Sequence, residues 1–368
     1  MSKKIAWCIL SQRGDWDKGI VNRNYFMIEA LGRRGIEIIP VWYLPYSWKT
    51  SLRALKKFYL FNDLSRFHQG FYFPFHFLYP KKTWNTLQDF LGRNGLLLIS
   101  HMFTTPPHDF VTPHGYDLID DWVAHPSYQS ENEFLKRKYI SLQTENNCVS
   151  VTSVNAQILA RYALKGVEVR NGFDAQWLDR RDLNFFKKIE KQKKTPIIVY
   201  SGTIQERFDF DLLYAITTAH PDKEFYIAGP VWSSCIHNLS RFAHMSHVHF
   251  LGRITSLQKN SLLSLASLAI IPHQLNDRFI ESTDSMKLYE FSAAGLTTIM
   301  RPEGSYDSLP GVVSVNTIEE WNTALSNSDL YLLTEEARVQ SIKERASALY
   351  SCTWDARAIE FIYAHSLL

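Results

Sequence analysis

Three short stretches in the second half of the chain carry residue types that together could grip a nucleotide. The first is Tyr200-Ser201-Gly202-Thr203-Ile204-Gln205-Glu206-Arg207, a strand running into a small-residue loop. The second is Phe250-Leu251-Gly252-Arg253-Ile254. The third runs from Ser282 to Gly295 and contains Asp284, Ser285, Met286, Lys287 and Glu290. Each lies where a strand's carboxyl end should meet a loop, the edge at which open α/β sheets bind ligands. Small side chains at 201–203 let a phosphate approach the backbone, and a helix starting near Ser285 offers unpaired N–H groups and a positive dipole end. Lys287 in the first turn could meet a diphosphate, and Glu290, three residues on, could hold a ribose diol from the same face. Charge-assisted hydrogen bonds of this kind contribute about 1.5–3 kcal/mol each. The competing explanation is an ordinary surface pair between Lys287 and Glu290, worth about 0.2–0.5 kcal/mol.

These stretches need a scaffold, and the hydrophobic pattern supplies one. Ile5–Leu10 reads as a buried strand, Arg23–Arg34 as a helix closed by Gly35, and Ile36–Trp42 as the next strand, a β-α-β opening that implies a parallel sheet. Gly95–Ser100, Tyr116–Ile119, Cys148–Thr152 and Val167–Arg170 continue it, with a helix capped by Ser153 and closed by Gly166. The charged run 178–194 reads as a linker. A second alternation follows: strands near 197–200, 224–228, 249–251, 268–271, 297–300 and 312–315, with helices between and a helical tail. The expectation is two α/β domains, 1–177 and 195–350, each doubly wound, and a C-terminal helix in 351–368. Residues 43–93 fit βαβ alternation poorly. They combine aromatics, as in Phe71-Tyr72-Phe73-Pro74-Phe75-His76-Phe77, with Lys49, Arg53, Lys56, Lys57, Arg66, Lys81, Lys82 and Arg93 against only Asp63 and Asp89. They read as an insertion on the first domain, or as a surface that meets anionic membrane.

Composition closes off several function classes. Aromatic residues are 14% of 368, enough for large cores. The net charge of +3 is too balanced for a dedicated nucleic-acid protein, so no nucleic-acid partner is expected. Cys8, Cys148, Cys235 and Cys352 show no disulfide or metal spacing, which fits a reducing cytoplasm. No apolar run is long enough to span a bilayer. GxGxxG after the first strand, GxxxxGK[ST], HExxH and GxSxG are all absent. Asp15-Trp16-Asp17 and Asp209-Phe210-Asp211 match a short acidic metal motif but read better as loop and helix-start residues. His244, His247 and His249 lack the further ligands of a metal site, so no metal is expected.

Lys287-Leu288-Tyr289-Glu290-Phe291-Ser292-Ala293-Ala294-Gly295 resembles the donor-site helix of bacterial GT-B glycosyltransferases of the glycogen-synthase-like superfamily. Met286-Lys287 is also similar to the xanthan glucuronosyltransferases. Tyr200–Arg207, Phe225-Tyr226-Ile227-Ala228-Gly229-Pro230, Phe250–Arg253 and Asn171-Gly172-Phe173-Asp174 fit the same pattern. The resemblance covers roughly 167–300 well and the first domain by architecture alone. It implies two Rossmann-like domains facing a cleft, with a C-terminal helix crossing back to the first. It implies transfer of a sugar from a nucleoside-diphosphate sugar, UDP favoured, to a saccharide or lipid-linked glycan in cell-surface polysaccharide synthesis. By the resemblance, Glu290 binds the ribose. Lys287 and Arg207 meet the diphosphate beside Ser201, Gly202 and Thr203, and Arg253 and Ile254 border the base. Many retaining members carry a second Glu eight positions before the ribose Glu. Here that position is Ser282 and Glu281 precedes it, so Glu281 and Asp284 are candidates for the donor sugar instead. An epimerase or phosphorylase on the same fold, or a binding protein without turnover, remains open.

An inverting transfer needs a general base for the acceptor hydroxyl. Asp120 and Asp121, after the Tyr116–Ile119 strand, are the first candidates, and at most one of two adjacent acids can serve. Helix N-termini, Lys287 and Arg207 could stabilise the departing diphosphate without a metal. The expected location is cytoplasmic, at the inner face of the membrane.

Overall fold

The structure, a computed structural model, describes residues 4–9, 16, 18–43, 71–73, 81–192, 195–275, 278–302, 306 and 309–367. The chain divides into two compact units. One holds Met1–Arg170, Ser282–Asp284 and Trp354–Leu368; the other holds Asn171–Glu281 and Ser285–Thr353.

The first unit begins with β1 (Ile5–Ile9), α1 (Arg23–Arg33), β2 (Ile38–Tyr43), β3 (Phe71–Phe73), α2 (Lys81–Leu91), β4 (Leu96–Ile99) and β5 (His114–Leu118). It continues with α3 (Asn132–Ser141), β6 (Cys148–Ser153), α4 (Ala156–Arg161) and β7 (Val167–Glu168). The sheet is parallel throughout, in the order β3-β2-β1-β4-β5-β6-β7. Both faces are covered, so β1 and β4 are continuous apolar runs, as buried parallel strands should be.

Two sequence expectations are corrected here, and one helix is added. The stretch 43–93 is not wholly an insertion. Its 71–73 segment is β3, paired in parallel with β2, and Trp84, Leu87 and Leu91 of α2 are buried in the core. Residues 44–70 and 74–80, which carry most of the basic side chains considered for membrane contact, lie outside the described residues. The helix after β6 is capped by Asn155, whose side chain accepts from Gln157 N at 2.8 Å, rather than by Ser153, which closes the strand. Helix α3, which the sequence reading passed over, has an apolar side of Leu135 and Tyr139 against the core.

The second unit opens with a short helical turn, Ala175–Leu178, followed by α5 (Leu183–Gln192). The latter lies in the segment read as a linker, yet Ile189 is buried and Phe185 and Phe186 pack on the core. Its further elements are β8 (Ile197–Ser201), α6 (Phe210–Ala219), β9 (Glu224–Ala228), β10 (Val248–Gly252), α7 (Ser256–Leu265), β11 (Leu268–Ile271) and α8 (Arg278–Ser282). After these come α9 (Met286–Ala293), β12 (Thr298–Met300), β13 (Val312–Ser314), α10 (Ile318–Ser326) and α11 (Glu335–Leu349). The parallel order β10-β9-β8-β11-β12-β13 is the doubly wound 3-2-1-4-5-6 arrangement, so the order in which strands are added across the sheet reverses between β8 and β11. Ligands in such sheets bind beyond the carboxyl ends at that reversal.

The last helix, α12 (Trp354–His365), belongs to the first unit and packs on α1. Trp354 stacks on Phe26 at 5.8 Å and Phe361 on Trp7 at 5.1 Å. His365 is buried between two hydroxyls, Ser150 Oγ at 2.7 Å from Nδ1 and Thr152 Oγ1 at 3.0 Å from Nε2. Thr152 donates onward to Asp117 (2.9 Å), whose carboxylate holds the Arg23 guanidinium. Polar partners therefore fix a helix that apolar burial alone would leave free to slide. Among the described residues no helix is long and apolar enough to cross a membrane.

Candidate active site

The carboxyl ends of β8, β9 and β10 are laced together by backbone bonds. Gly202 N donates to Ala228 O (2.9 Å), Ile204 N to Pro230 O (2.9 Å) and Gly229 N to Gly252 O (2.8 Å). Gly229 has φ +144°, and a Cβ there would lie 1.8 Å from Gly202 O, so only glycine permits the approach. The loop so formed, Ser201-Gly202-Thr203, is half-exposed.

Lys287 comes onto this loop from α9. A Cβ at Gly202 would lie 2.9 Å from Lys287 Cε and 3.2 Å from Nζ, and Nζ sits 5.3 Å from the Tyr200 ring centre. Met286, half-buried, is the first residue of that helix. Ser285 occupies the cap position but makes no capping bond with its side chain; its N–H instead donates to the Tyr306 hydroxyl. The first turn is thus not closed by a capping side chain, the arrangement that suits an anion.

Glu290 is buried and its carboxylate pairs with Lys259 of α7. The simple Lys287–Glu290 surface pair is therefore not what Glu290 makes. Lys259 escaped the sequence reading. The available signal was the capping box Thr255/Gln258, which starts α7 and places Lys259 one turn in.

Arg207 is half-buried, with its guanidinium 5.0 Å from the Phe279 ring centre. The Gln205 amide, its oxygen turned toward Arg207, accepts from Nε (2.7 Å) and Nη2 (3.0 Å). Arg253 is exposed and Ile254 packs on the second unit's core. Glu281 is exposed on α8, whereas the adjacent Ser282 is fully buried. Asp284, the other donor-sugar candidate, is held by an ion pair. Its buried carboxylate is taken up by Arg170, Oδ1 to Nη2 at 3.0 Å, so it holds its own segment in place.

Asp121, the other candidate base, has its own partners. It is fully buried, receives Tyr162 Oη (2.7 Å) and the Val123 and Ala124 N–H groups, and forms an ion pair with Arg161. Its oxygens therefore already have partners within the first unit. Asp120 is only half-buried, and its backbone carbonyl accepts from Tyr139 Oη at 2.7 Å. His101, at the end of β4, is buried beside Thr104 Oγ1 at 3.1 Å.

The acidic motif at 209–211 is structural. Asp209 caps α6 through Leu212 N (2.9 Å) and pairs with Arg301, and Asp211 pairs with Arg241. His249 meets Glu224 at 2.5 Å and His247 meets Thr217 O at 3.0 Å. Asp15 and Asp17 lie outside the described residues. Among the described residues no group of three or more His, Cys, Asp or Glu is placed to hold a metal.

No family model and no curated protein matches the chain. Solved structures do. HepE of Anabaena, determined with UDP and glucose, superposes with a TM-score of 0.69 at 11% identity over 100% of both chains. Sucrose-phosphate synthase of Thermosynechococcus elongatus gives 0.68 at 15% identity, over 98% of this chain and 97% of that one. A glycosyltransferase of Rickettsia africae gives 0.67 at 12%, over 99% and 98%. The fold is that of the GT-B glycosyltransferases. Such identities establish architecture, and function must be argued from the residues above.

Proposed function

We propose that the chain is a glycosyltransferase taking its sugar from a nucleoside-diphosphate sugar. The observation that carries this reading is Lys287 lying on the Gly202 backbone, at the β8 end of the sheet's reversal and beside the start of α9. A cation, a small-residue loop and a helix start converging at that edge form an anion site. Glu290, buried one turn further along α9, supplies the carboxylate that a ribose diol requires.

In the proposed reaction the bond between the sugar's anomeric carbon and the diphosphate oxygen breaks. Negative charge grows on the diphosphate, where Lys287, Arg207 and the α9 N–H groups stabilise it without a metal. The acceptor oxygen forms the new bond. If the transfer inverts, Asp120 takes its proton. UDP is the favoured base carrier, a choice supported by the UDP and UDP-glucose bound in HepE. The acceptor is a saccharide or lipid-linked glycan of cell-surface polysaccharide synthesis, met at the cytoplasmic face of the membrane.

The test is a thermal-shift screen of UDP, GDP and their sugars, repeated on Lys287→Ala. Stabilisation by one diphosphate, lost in a folded Lys287→Ala protein, is the expected result. Undiminished sugar transfer by that variant would remove the reading.

A further inference from the structure

Lys259 has no part in the chemistry just described, yet its ammonium is the ion-pair partner of Glu290. The two side chains are 15% and 8% exposed, so the pair is largely shielded from water. The approach is built in from the start of α7. Gly252, in the left-handed region at φ +64°, ends β10. The reciprocal bonds of Thr255 and Gln258 then fix where the helix begins, and Lys259 N closes its first turn on Thr255 O at 2.9 Å. The helix is held from behind by Ser261, whose hydroxyl bonds Asp182 O (3.0 Å), and by Asn260, which donates to Arg180 O (3.0 Å). Glu290 sits on α9, whose far end is gripped by Arg338 at Ala294 O (3.0 Å). Two independently anchored helices thus deliver one cation to one carboxylate.

We infer that Lys259 is a positioning residue that aims the Glu290 carboxylate at the ribose diol and so makes the site selective for ribonucleotides over 2′-deoxyribonucleotides. The inference rests on the reading of this unit as a nucleotide site. A carboxylate has two oxygens and about four acceptor directions. With Lys259 occupying one oxygen, the other is held in a single orientation, and two neighbouring hydroxyls can donate to it without reordering the side chain. Pre-organisation of this kind raises affinity for the ligand that uses it and leaves the rest of the ligand unaffected.

The experiment is calorimetric titration of the full chain with UDP and GDP, each against its 2′-deoxy form, and with inorganic pyrophosphate. The wild-type chain is expected to prefer the ribonucleotide by about tenfold, the scale of one good hydrogen bond to a charged group. Lys259→Met is expected to lose most of that preference through weaker ribonucleotide binding, with pyrophosphate binding unchanged. Lys259→Arg, which keeps the cation, is expected to retain it. Lys259→Gln keeps a donor beside Glu290 and guards against misfolding of the Met variant; it should fall between. A wild-type chain that binds both sugar forms equally, or Met and Gln variants that keep the full preference, overturns the inference and leaves the anion site standing. A wild-type chain that binds none of the diphosphates overturns the site and the inference together.

Discussion

Lys287 lies across the backbone of Gly202, close enough that a methyl group on Gly202 would sit 2.9 Å from its Cε and 3.0 Å from the Tyr200 hydroxyl. The nearer obstacle is the far end of the flexible Lys287 side chain, whereas the Tyr200 ring is buried and fixed, so alanine at 202 displaces Lys287 rather than the sheet. Gly202→Ala should therefore unfold at nearly the wild-type temperature but bind nucleoside diphosphate at least about tenfold more weakly, the scale of one lost charge-assisted contact. Calorimetry beside a melting curve separates the two effects. Equal binding would mean that the cation's place over the loop is incidental.

Gly229 gives the opposite outcome. Its φ of +144° is closed to other residues, and the obstacle, Gly202 O at 1.8 Å from an added Cβ, is backbone. Gly229→Ala should cost about 2–4 kcal/mol of stability, since the joined ends of β8 and β9 must separate. Urea unfolding measures it, and a change under about 0.5 kcal/mol, the level of an ordinary surface substitution, would contradict the geometry.

The neighbouring acids 120 and 121 should separate cleanly. Asp121→Ala strands the Arg161 cation and removes four hydrogen-bond partners, so a loss of about 3 kcal/mol in stability is expected. Asp120→Asn should keep its stability and, if Asp120 is the base, lose about a hundredfold in turnover at unchanged donor binding. Unchanged turnover would move the search for the base to another residue.

A chelator provides a fourth check. With no metal in the proposed step, transfer should persist in excess EDTA. Complete loss, restored by manganese, would replace the all-organic account of leaving-group stabilisation.

The first unit contains a buried charged cluster that predicts a pH dependence. Lys138 donates to Tyr116 Oη (2.8 Å) and pairs with Glu145, which also accepts from Tyr116 Oη (2.5 Å). Burial pushes the Glu145 carboxyl up, but the nearby His114 ring together with the Lys138 charge and the hydrogen bonds from Lys138 and Tyr116 outweigh it and hold the group below its usual 4.5. Burial draws the Lys138 ammonium below 10.5. A carboxyl lowered in the folded state contributes stability above its unfolded value and loses it as pH falls through the folded one. Wild-type stability should therefore drop on acidification below about pH 4.5 in part through this group. Glu145→Gln should be about 3 kcal/mol less stable at neutral pH, and the gap should narrow in acid. Urea titrations at the two pH values test this, and a gap that stays constant would show that Glu145 contributes no charge-dependent stability.

How much of this was legible beforehand depended on range along the chain. The second sheet's strands and helices were readable because their signals are local: acidic residues at a helix start such as Asp209, apolar runs such as Leu268–Ile271, glycines at strand ends. The segments proposed to bind the anion stood out for the same reason, since a small-residue loop and a Lys287–Glu290 spacing lie within a few residues. Ion-pair choice was not. Glu290 takes Lys259, Asp284 takes Arg170 and Asp121 takes Arg161, partners 31, 114 and 40 positions away. Burial makes an unpaired charge costly, so each buried carboxylate must find a cation, but sequence spacing cannot say which one the packing brings within reach. Residues 71–73 went unread as a strand because three residues are too few to show a period, and only the neighbouring edge of β2 makes them one. The residues alone determined that two parallel sheets form and which segments are candidates for holding a diphosphate. Packing decided which acids remain available for chemistry, because only folding in three dimensions matches distant charges.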